Sequence, residues 1–355
     1  AQSTKGACSN PSSGDCSGRM KKRTTMLTNT DASEAKRMRL NFLSTYPPLL
    51  SKITRNFTAM NTSFYKSARL LPGPRTTALA VQNVDASINI DDLQKNCYTF
   101  LFTRYYQHNF IPKGKPRMTS QEIKHWFDNR SALFHAYTLP SVLGQKYRSF
   151  IWCILVDEKF VDLMPNSIKT PIDPRIELVA MNNSGKASFE IEKFVEKKIH
   201  EKLLEMKEKN IVDAVVTTAR LDNDDAISND FVLLLNSLAA SAQRGGQKKD
   251  VIISFTHGLQ YLLDSELRTY LFTNNHFLGS AHFQPEQSRI HSLSVNHGHI
   301  FKIFPDNVFV ANTDLPMWIE TIHGENLTNQ YGNTGALRDN KGVDARFSGV
   351  YKITG

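Results

Sequence analysis

The chain has 355 residues, 40% of them hydrophobic and 22% charged, which is enough apolar side chain for a sizeable core and excludes a wholly disordered chain. Four scattered cysteines (Cys8, Cys16, Cys97, Cys153) exclude a disulfide scaffold or a zinc ribbon. The formal net charge is +9, and the longest apolar runs, Ser149–Val156 and Phe231–Leu235, are far shorter than a bilayer crossing of roughly 20 residues.

The charge is unevenly placed. Residues 1–94 carry 13 Lys and Arg against 6 Asp and Glu. Residues 1–95 are rich in Ser, Thr, Asn and Pro and lack sustained periodicity, so they read as a flexible basic leader or stem. The cluster Arg19, Lys21, Lys22, Arg23 is read first as a solvated tail and second as a targeting remnant, being acid-poor and Ser/Thr-rich. A nucleic-acid site is the weakest reading, because no interleaved aromatic platform accompanies the charge. The location is left open between a cytoplasmic or organellar one and, as the alternative, a Golgi lumen. Sequons at Asn56, Asn61, Asn129, Asn182 and Asn326 matter only in a secretory lumen.

From residue 96 the texture changes. Cys97–Thr103 is a short apolar, aromatic run that predicts a buried strand. Glu122–Leu139 predicts a helix ending at Pro140. Ser149–Val156 predicts a central strand covered on both faces, with Cys153 in the core. Ile176–Met181 is a weaker strand. Phe189–Lys209 predicts an amphipathic helix, with Phe194, Ile199, Leu203 and Met206 at helical spacing. Val212–Thr217 is a β-branched strand, Asn229–Ala242 a helix closed by Gly245 and Gly246, and Val251–Phe255 another strand. Beyond 255 the β-like pieces Leu259–Leu263, Ile300–Phe304 and Val308–Val310 suggest a small antiparallel extension. Strands alternating with helices predict an α/β fold with a mostly parallel sheet and helices on both faces. Such sheets bind ligands at the carboxyl ends of their strands.

One such end is the stretch Thr217–Ile227. A strand runs into Arg220, Asp222, Asn223, Asp224 and Asp225. Adjacent carboxylates repel unless a cation neutralises them, and they suit Mg²⁺ or Mn²⁺. On an extended segment Asp222 and Asp224 would point the same way. A metal there could hold a diphosphate and neutralise a departing nucleotide. The plain alternative is a solvated acidic turn that caps the next helix.

Four pieces in order resemble the family of putative rhamnosyltransferases, nucleotide-sugar glycosyltransferases of the GT-A type. They are Thr103–Arg104; Trp126, Arg130, Leu133, Phe134 and Tyr137–Ser141 with Gln145, ahead of the strand ending at Asp157; Ala219–Ala226; and Trp318–Asn326. Together they span residues 98–330. The resemblance implies a glycosyltransferase domain over 96–330, followed by a tail at 331–355. It implies a UDP- or dTDP-linked sugar donor, with a glycan or other hydroxyl compound as acceptor. Thr103, Arg104, Arg130, Asp157, Arg220 and Asp222 would bind the nucleotide sugar. Asp222, Asp224, Asp225 and His323 would hold the divalent metal, Mn²⁺ or Mg²⁺. Asp264 and Glu266 are candidates for the base that takes the acceptor proton, although loop or helix-surface carboxylates are the usual case.

The plain readings stand beside these. Arg104 and Arg130 could be surface ion-pair residues, Trp126 and Trp318 core residues, and His323 a turn residue before Gly324. His276, His282, His291, His297 and His299 fit no zinc spacing and read as polar loop histidines. The basic leader and the poorly matching stretch Leu271–Phe304 depart from the family pattern. The rival to an enzyme is a catalytically silent glycosyltransferase-like subunit whose basic leader docks on an anionic partner.

Overall fold

The computed structural model describes residues 69–72, 89–106, 118–170, 173–182, 187–263, 265–286, 291, 293, 297–304, 307–313, 315–324, 326 and 346–347. In chain order the strands are β1 (Arg69–Pro72), β2 (Cys97–Tyr106), β3 (Phe150–Asp157), β4 (Ile176–Met181), β5 (Val215–Arg220), β6 (Ala226–Ile227), β7 (Val251–Phe255), β8 (His257–Leu262), β9 (Glu266–Leu271), β10 (Gly279–His282), β11 (Val308–Asn312) and β12 (Trp318–Ile322). The helices are α1 (Ile90–Asn96), α2 (Ser120–Leu133), α3 (Leu139–Leu143), α4 (Asn166–Lys169), α5 (Ala187–Glu208), α6 (Phe231–Arg244) and α7 (Ile300–Ile303).

Eight strands form the main sheet in the order β1-β11-β7-β10-β5-β2-β3-β4. The strands β5, β2, β3 and β4 are mutually parallel, as are β7 and β11. Strand β10 runs antiparallel to both β5 and β7, and β1 antiparallel to β11. This is the mostly parallel α/β sheet that the alternation of elements predicts. Helix α6 packs on one face with Leu101, Val215 and Ala219. Helix α5 buries Ile191, Val195, Ile199 and Leu203 with Phe100, Phe102 and Val216 of the other face. Each fully buried Leu, Ile, Val or Phe contributes roughly 1.5–3 kcal/mol by leaving water. Inside the α6 layer the hydroxyls of Thr99 and Thr217 lie 2.8 Å apart, and Asn236 of α6 bonds to both.

A second sheet of four strands, β6-β12-β8-β9, has two antiparallel pairings and one parallel pairing, β12 with β8. Its formation brings the segment after β5 against β12, with Ile319 opposite Ala226.

Several local expectations differ from the structure. The helix over 122–139 does not stop at Pro140: α2 passes into a π-helical turn over Phe134–Thr138, and Pro140 sits in the first turn of α3, where its missing N–H costs nothing. Ile300–Ile303 is one helical turn rather than a strand, burying Ile300 while Ile303 stays exposed. Short apolar runs do not distinguish the two conformations. Strand β11 joins the main sheet, in parallel with β7, rather than an antiparallel extension. Strand β1 and helix α1, apart from Asn96, lie within the stretch assigned to the leader; the cluster Arg19–Arg23 and, apart from Arg346 and Phe347, the tail 331–355 lie outside the described residues.

Candidate active site

The carboxyl ends of β2, β3 and β5 lie side by side, with Phe102 opposite Arg220 and Thr103 opposite Ile154. After Arg220 the backbone turns instead of staying extended: the Asp225 N–H points to the Asp222 carbonyl at 3.4 Å, and the Asn223 amide donates to the Tyr105 carbonyl at 2.9 Å. The period-two argument for Asp222 and Asp224 therefore does not apply. A turn of this kind sets residues i and i+3 near each other, so Asp222 and Asp225 share one side and Asp224 faces another.

Asp222 and Asp225 meet His276. The His276 Nε2 lies 2.7 Å from Asp225 Oδ2 and 4.0 Å from Asp222 Oδ2. The second Asp225 oxygen accepts the Thr321 backbone N–H at 2.8 Å. On the other side of the ring, Nδ1 lies 3.9 Å from Glu320 Oε1. Strand topology explains the arrival of His276. Because β10 runs antiparallel to β5, with Gly279 opposite Ala219, the residues just before β10 fall at the carboxyl end of β5. Thus His276 is buried beside two aspartates, and His282, on β10, is buried with Asp250 at 2.8 Å. His276 is a loop residue as expected from spacing but a buried one, and His282 is a buried strand residue. His297 also lies beside His276, with ring centroids 5.9 Å apart.

The electrostatics follow from this packing. Burial alone would raise the Asp222 carboxyl, but Arg220, His276 and Arg104 hold it well below the usual carboxylate range. Arg220 grips Asp222 with two hydrogen bonds of 3.0 Å. Burial and then the Asp224 charge push the Asp225 carboxyl up. Burial alone would lower His276, yet its bond to Asp225 and the charges of Asp225, Asp222 and Glu320 raise it. The imidazolium thus neutralises the carboxylates around it. Burial and the nearby Arg220 bring Arg104 down to about 10.

Asp224 anchors a second group. Its Oδ2 accepts from the Arg130 guanidinium, lies 2.9 Å from His323 Nε2, and is 3.3 Å from the Asn326 amide. Arg130 is also 3.2 Å from His323, and its guanidinium lies 5.2 Å from the Trp126 ring centre. Arg130 is therefore a buried residue and no surface ion-pair partner.

The remaining predicted residues have plainer surroundings. The Thr103 hydroxyl accepts from Trp152 Nε1 at 2.9 Å. Asp157 is buried at the end of β3 and accepts the Lys159 N–H at 3.2 Å. Glu266 is paired with Arg268 at 2.7 Å on the edge strand β9, and Asp264 lies outside the described residues. Trp318 is a core residue stacked on Phe277 at 4.8 Å.

Sequence reasoning missed His276, Glu320 and Asn326. Glu320 and Asn326 fall inside the Trp318–Asn326 motif, but the burial of Glu320 on a strand is seen only in the structure.

Among the described residues, Asp222, Asp225 and His276 form the group able to hold a cation, their ligand atoms within 4.8 Å of one another. Two carboxylates and one imidazole suit a hard or borderline divalent ion, Mn²⁺ in particular. The donor set fits an ion, which would displace the Nε2 proton of His276 and take over its part in offsetting the charge of Asp222 and Asp225.

Comparison with known proteins adds the following. A family model described as "Putative rhamnosyl transferase" matches residues 117–334, more than half of the chain. No curated protein matches in sequence. Among solved structures, the chain is similar to 4-diphosphocytidyl-2C-methyl-D-erythritol synthase from Anaerococcus prevotii at 13% identity and TM-score 0.28, covering 63% of this chain and 90% of that one. It is similar to residues 1–349 of TarS from S. aureus at 11% identity and TM-score 0.28, over 63% and 60% of the two chains. A third likeness is to a structure described as a putative nucleotide-diphospho-sugar transferase from Desulfovibrio desulfuricans, at 10% identity and TM-score 0.25, over 61% and 80%.

Proposed function

The chain belongs to the putative rhamnosyl transferase family, and from that premise we propose that it is a metal-dependent glycosyltransferase. It moves a sugar, rhamnose by the family name, from a nucleoside diphosphate donor to a hydroxyl acceptor. The observation that carries this reading is the meeting of Asp222, Asp225 and His276 beside Arg104 and Arg220 at the carboxyl end of β5. Carboxylates that would hold a cation lie there next to guanidinium groups that suit phosphate oxygens.

In the transfer the acceptor oxygen bonds to the anomeric carbon. The bond from that carbon to the phosphate oxygen breaks, and the nucleoside diphosphate leaves with the electron pair. Asp222, Asp225 and His276 would hold a divalent ion, which would supply the charge that neutralises a leaving diphosphate. Arg104 and Arg220 bind its oxygens from the β2 and β5 side. Arg130 and His323, kept together by Asp224, supply donors from the other side. Thr103 and Asp157 shape the nucleotide end of the site. Asp264 and Glu266 are the proposed carboxylates for the acceptor proton, and Glu266 is paired with Arg268. The donor is UDP- or dTDP-linked. No helix among the described residues is long and apolar enough to cross a membrane, and a cytoplasmic or organellar site of action is part of this proposal.

The test is donor turnover. The purified chain with Mn²⁺ is incubated with UDP-linked and dTDP-linked hexoses and deoxyhexoses, and released nucleoside diphosphate is quantified. Turnover of one donor, abolished by EDTA, supports the reading. A folded chain that turns over no donor at any metal concentration points instead to the silent subunit.

A further inference from the structure

Strand β12 meets the Asp222–Asp225–His276 group at two successive residues. The Thr321 backbone N–H binds Asp225 at 2.8 Å. The Glu320 side chain faces the opposite edge of the His276 ring, 3.9 Å from Nδ1. Glu320 is itself fixed: its Oε2 accepts from the Gln260 amide at 2.6 Å, and Gln260 is its register partner on β8. The two carboxylate oxygens are thus divided, one toward Gln260 and one toward the imidazole. All three side chains are buried. Phe277 covers the His276 ring at a centroid distance of 4.2 Å, which limits its rotation.

An imidazole ligates a metal through one nitrogen only, and the other nitrogen commonly donates to a carboxylate that fixes tautomer and ring orientation. In His276 the nitrogen facing Asp222 and Asp225 is Nε2, and the one facing Glu320 is Nδ1. We propose that Glu320, held by Gln260, is the positioning residue of the cation site: its carboxylate on the Nδ1 side orients the His276 ring so that Nε2 faces Asp222 and Asp225, where an ion would take the place of the Nε2 proton that Asp225 accepts in this structure. This role rests on the metal-dependent reading above. It assigns to the Trp318–Asn326 segment a part in cation binding through Glu320.

The test is calorimetric titration of Mn²⁺ alone into the full chain and into Asp222→Asn, Glu320→Gln and Gln260→Leu, with thermal unfolding of each. The proposal expects binding by the native chain, loss in Asp222→Asn, and weakening of about 10- to 100-fold in Glu320→Gln. Gln260→Leu, which leaves the Glu320 charge but not its anchor, should weaken binding by less and in the same direction. If Glu320→Gln does not fold, Gln260→Leu alone decides. Native affinity in the folded Glu320 and Gln260 variants, with Asp222→Asn still defective, overturns the role of Glu320 and leaves the metal site standing. Loss of donor turnover in Glu320→Gln at native Mn²⁺ affinity also overturns it, and assigns Glu320 to the acceptor proton. No Mn²⁺ binding by the native chain overturns both readings at once.

Discussion

The Arg130 guanidinium donates to the Asp224 carboxylate across 94 positions of sequence, with both side chains buried. The pair ties helix α2 to the turn after β5, and His323 and Asn326 complete the donors around Asp224. Removing one partner of a buried pair leaves a charge without its compensation, which costs more than the pair is worth. Arg130→Met should therefore destabilise the fold by about 3 kcal/mol, read by chemical denaturation. Adding Asp224→Asn to the same chain should recover at least half of the loss. A double variant as unstable as the single one would show that packing of the Arg130 stem, not charge, sets the cost.

Gly258 makes a second case, governed by space. A Cβ at this position would fall 2.1 Å from the Trp318 ring. That ring cannot retreat easily: it stacks on Phe277 and its Nε1 donates to the Phe255 carbonyl at 2.8 Å. Gly258→Ala should destabilise by about 2–3 kcal/mol, the upper part of the usual range for overpacking. Gly324→Ala, where a Cβ meets nothing within 4 Å among the described residues, is the control and should stay within about 0.5 kcal/mol of the native chain.

The contrast between these positions shows what was legible in the sequence. The strands ending at Asp157 and Arg220 could be placed from short apolar, β-branched runs, because both of their faces are covered, although the second runs over Val215–Arg220 rather than the expected Val212–Thr217; helix α5 could be placed from its one apolar face. The acidic stretch after β5 could be picked out as a candidate site on a different ground: ligands bind at the carboxyl ends of strands in such sheets. The side-chain grouping could not be read. It depends on a turn that puts Asp225, not Asp224, beside Asp222, and on the reversed strand β10 delivering His276 from 51 residues away. Neither the turn nor the reversal leaves a periodic mark. Gly258 likewise shows its purpose only against Trp318, 60 positions later.

His291 makes a pH prediction. Burial, and then the charge of His282, bring its pKa down to about 3, against about 6.5 in an unfolded chain. The unfolded state therefore takes up a proton before the native state does. The stability His291 contributes as a neutral group is complete above pH 6.5 and is lost as pH falls from there toward 3. Between pH 6.5 and 4.5 the loss should be about 2 kcal/mol. In His291→Gln the drop in unfolding free energy over that window should be smaller by about this amount. Parallel profiles for the two chains would contradict the assignment.

Cys97 and Cys153 are buried, free thiols, and burial pushes each up to about 12. A thiol reagent attacks the thiolate, so both should react at least about a hundredfold more slowly in the native chain than after unfolding. Mass mapping of labelled peptides measures each cysteine separately. Rapid native labelling of Cys153 would mean that the central strand β3 opens.

The central claim is that the residues around Asp222 hold a cation and, through it, a nucleoside diphosphate. Its most direct measurement is a calorimetric titration of UDP and of dTDP into the folded chain, with Mn²⁺ and with EDTA, in the native protein and in Asp222→Asn. The account predicts binding of one nucleotide with Mn²⁺, lost in EDTA and lost in the variant. Absence of binding by either nucleotide to a folded, Mn²⁺-supplied chain, or binding indifferent to both EDTA and Asp222→Asn, would contradict it.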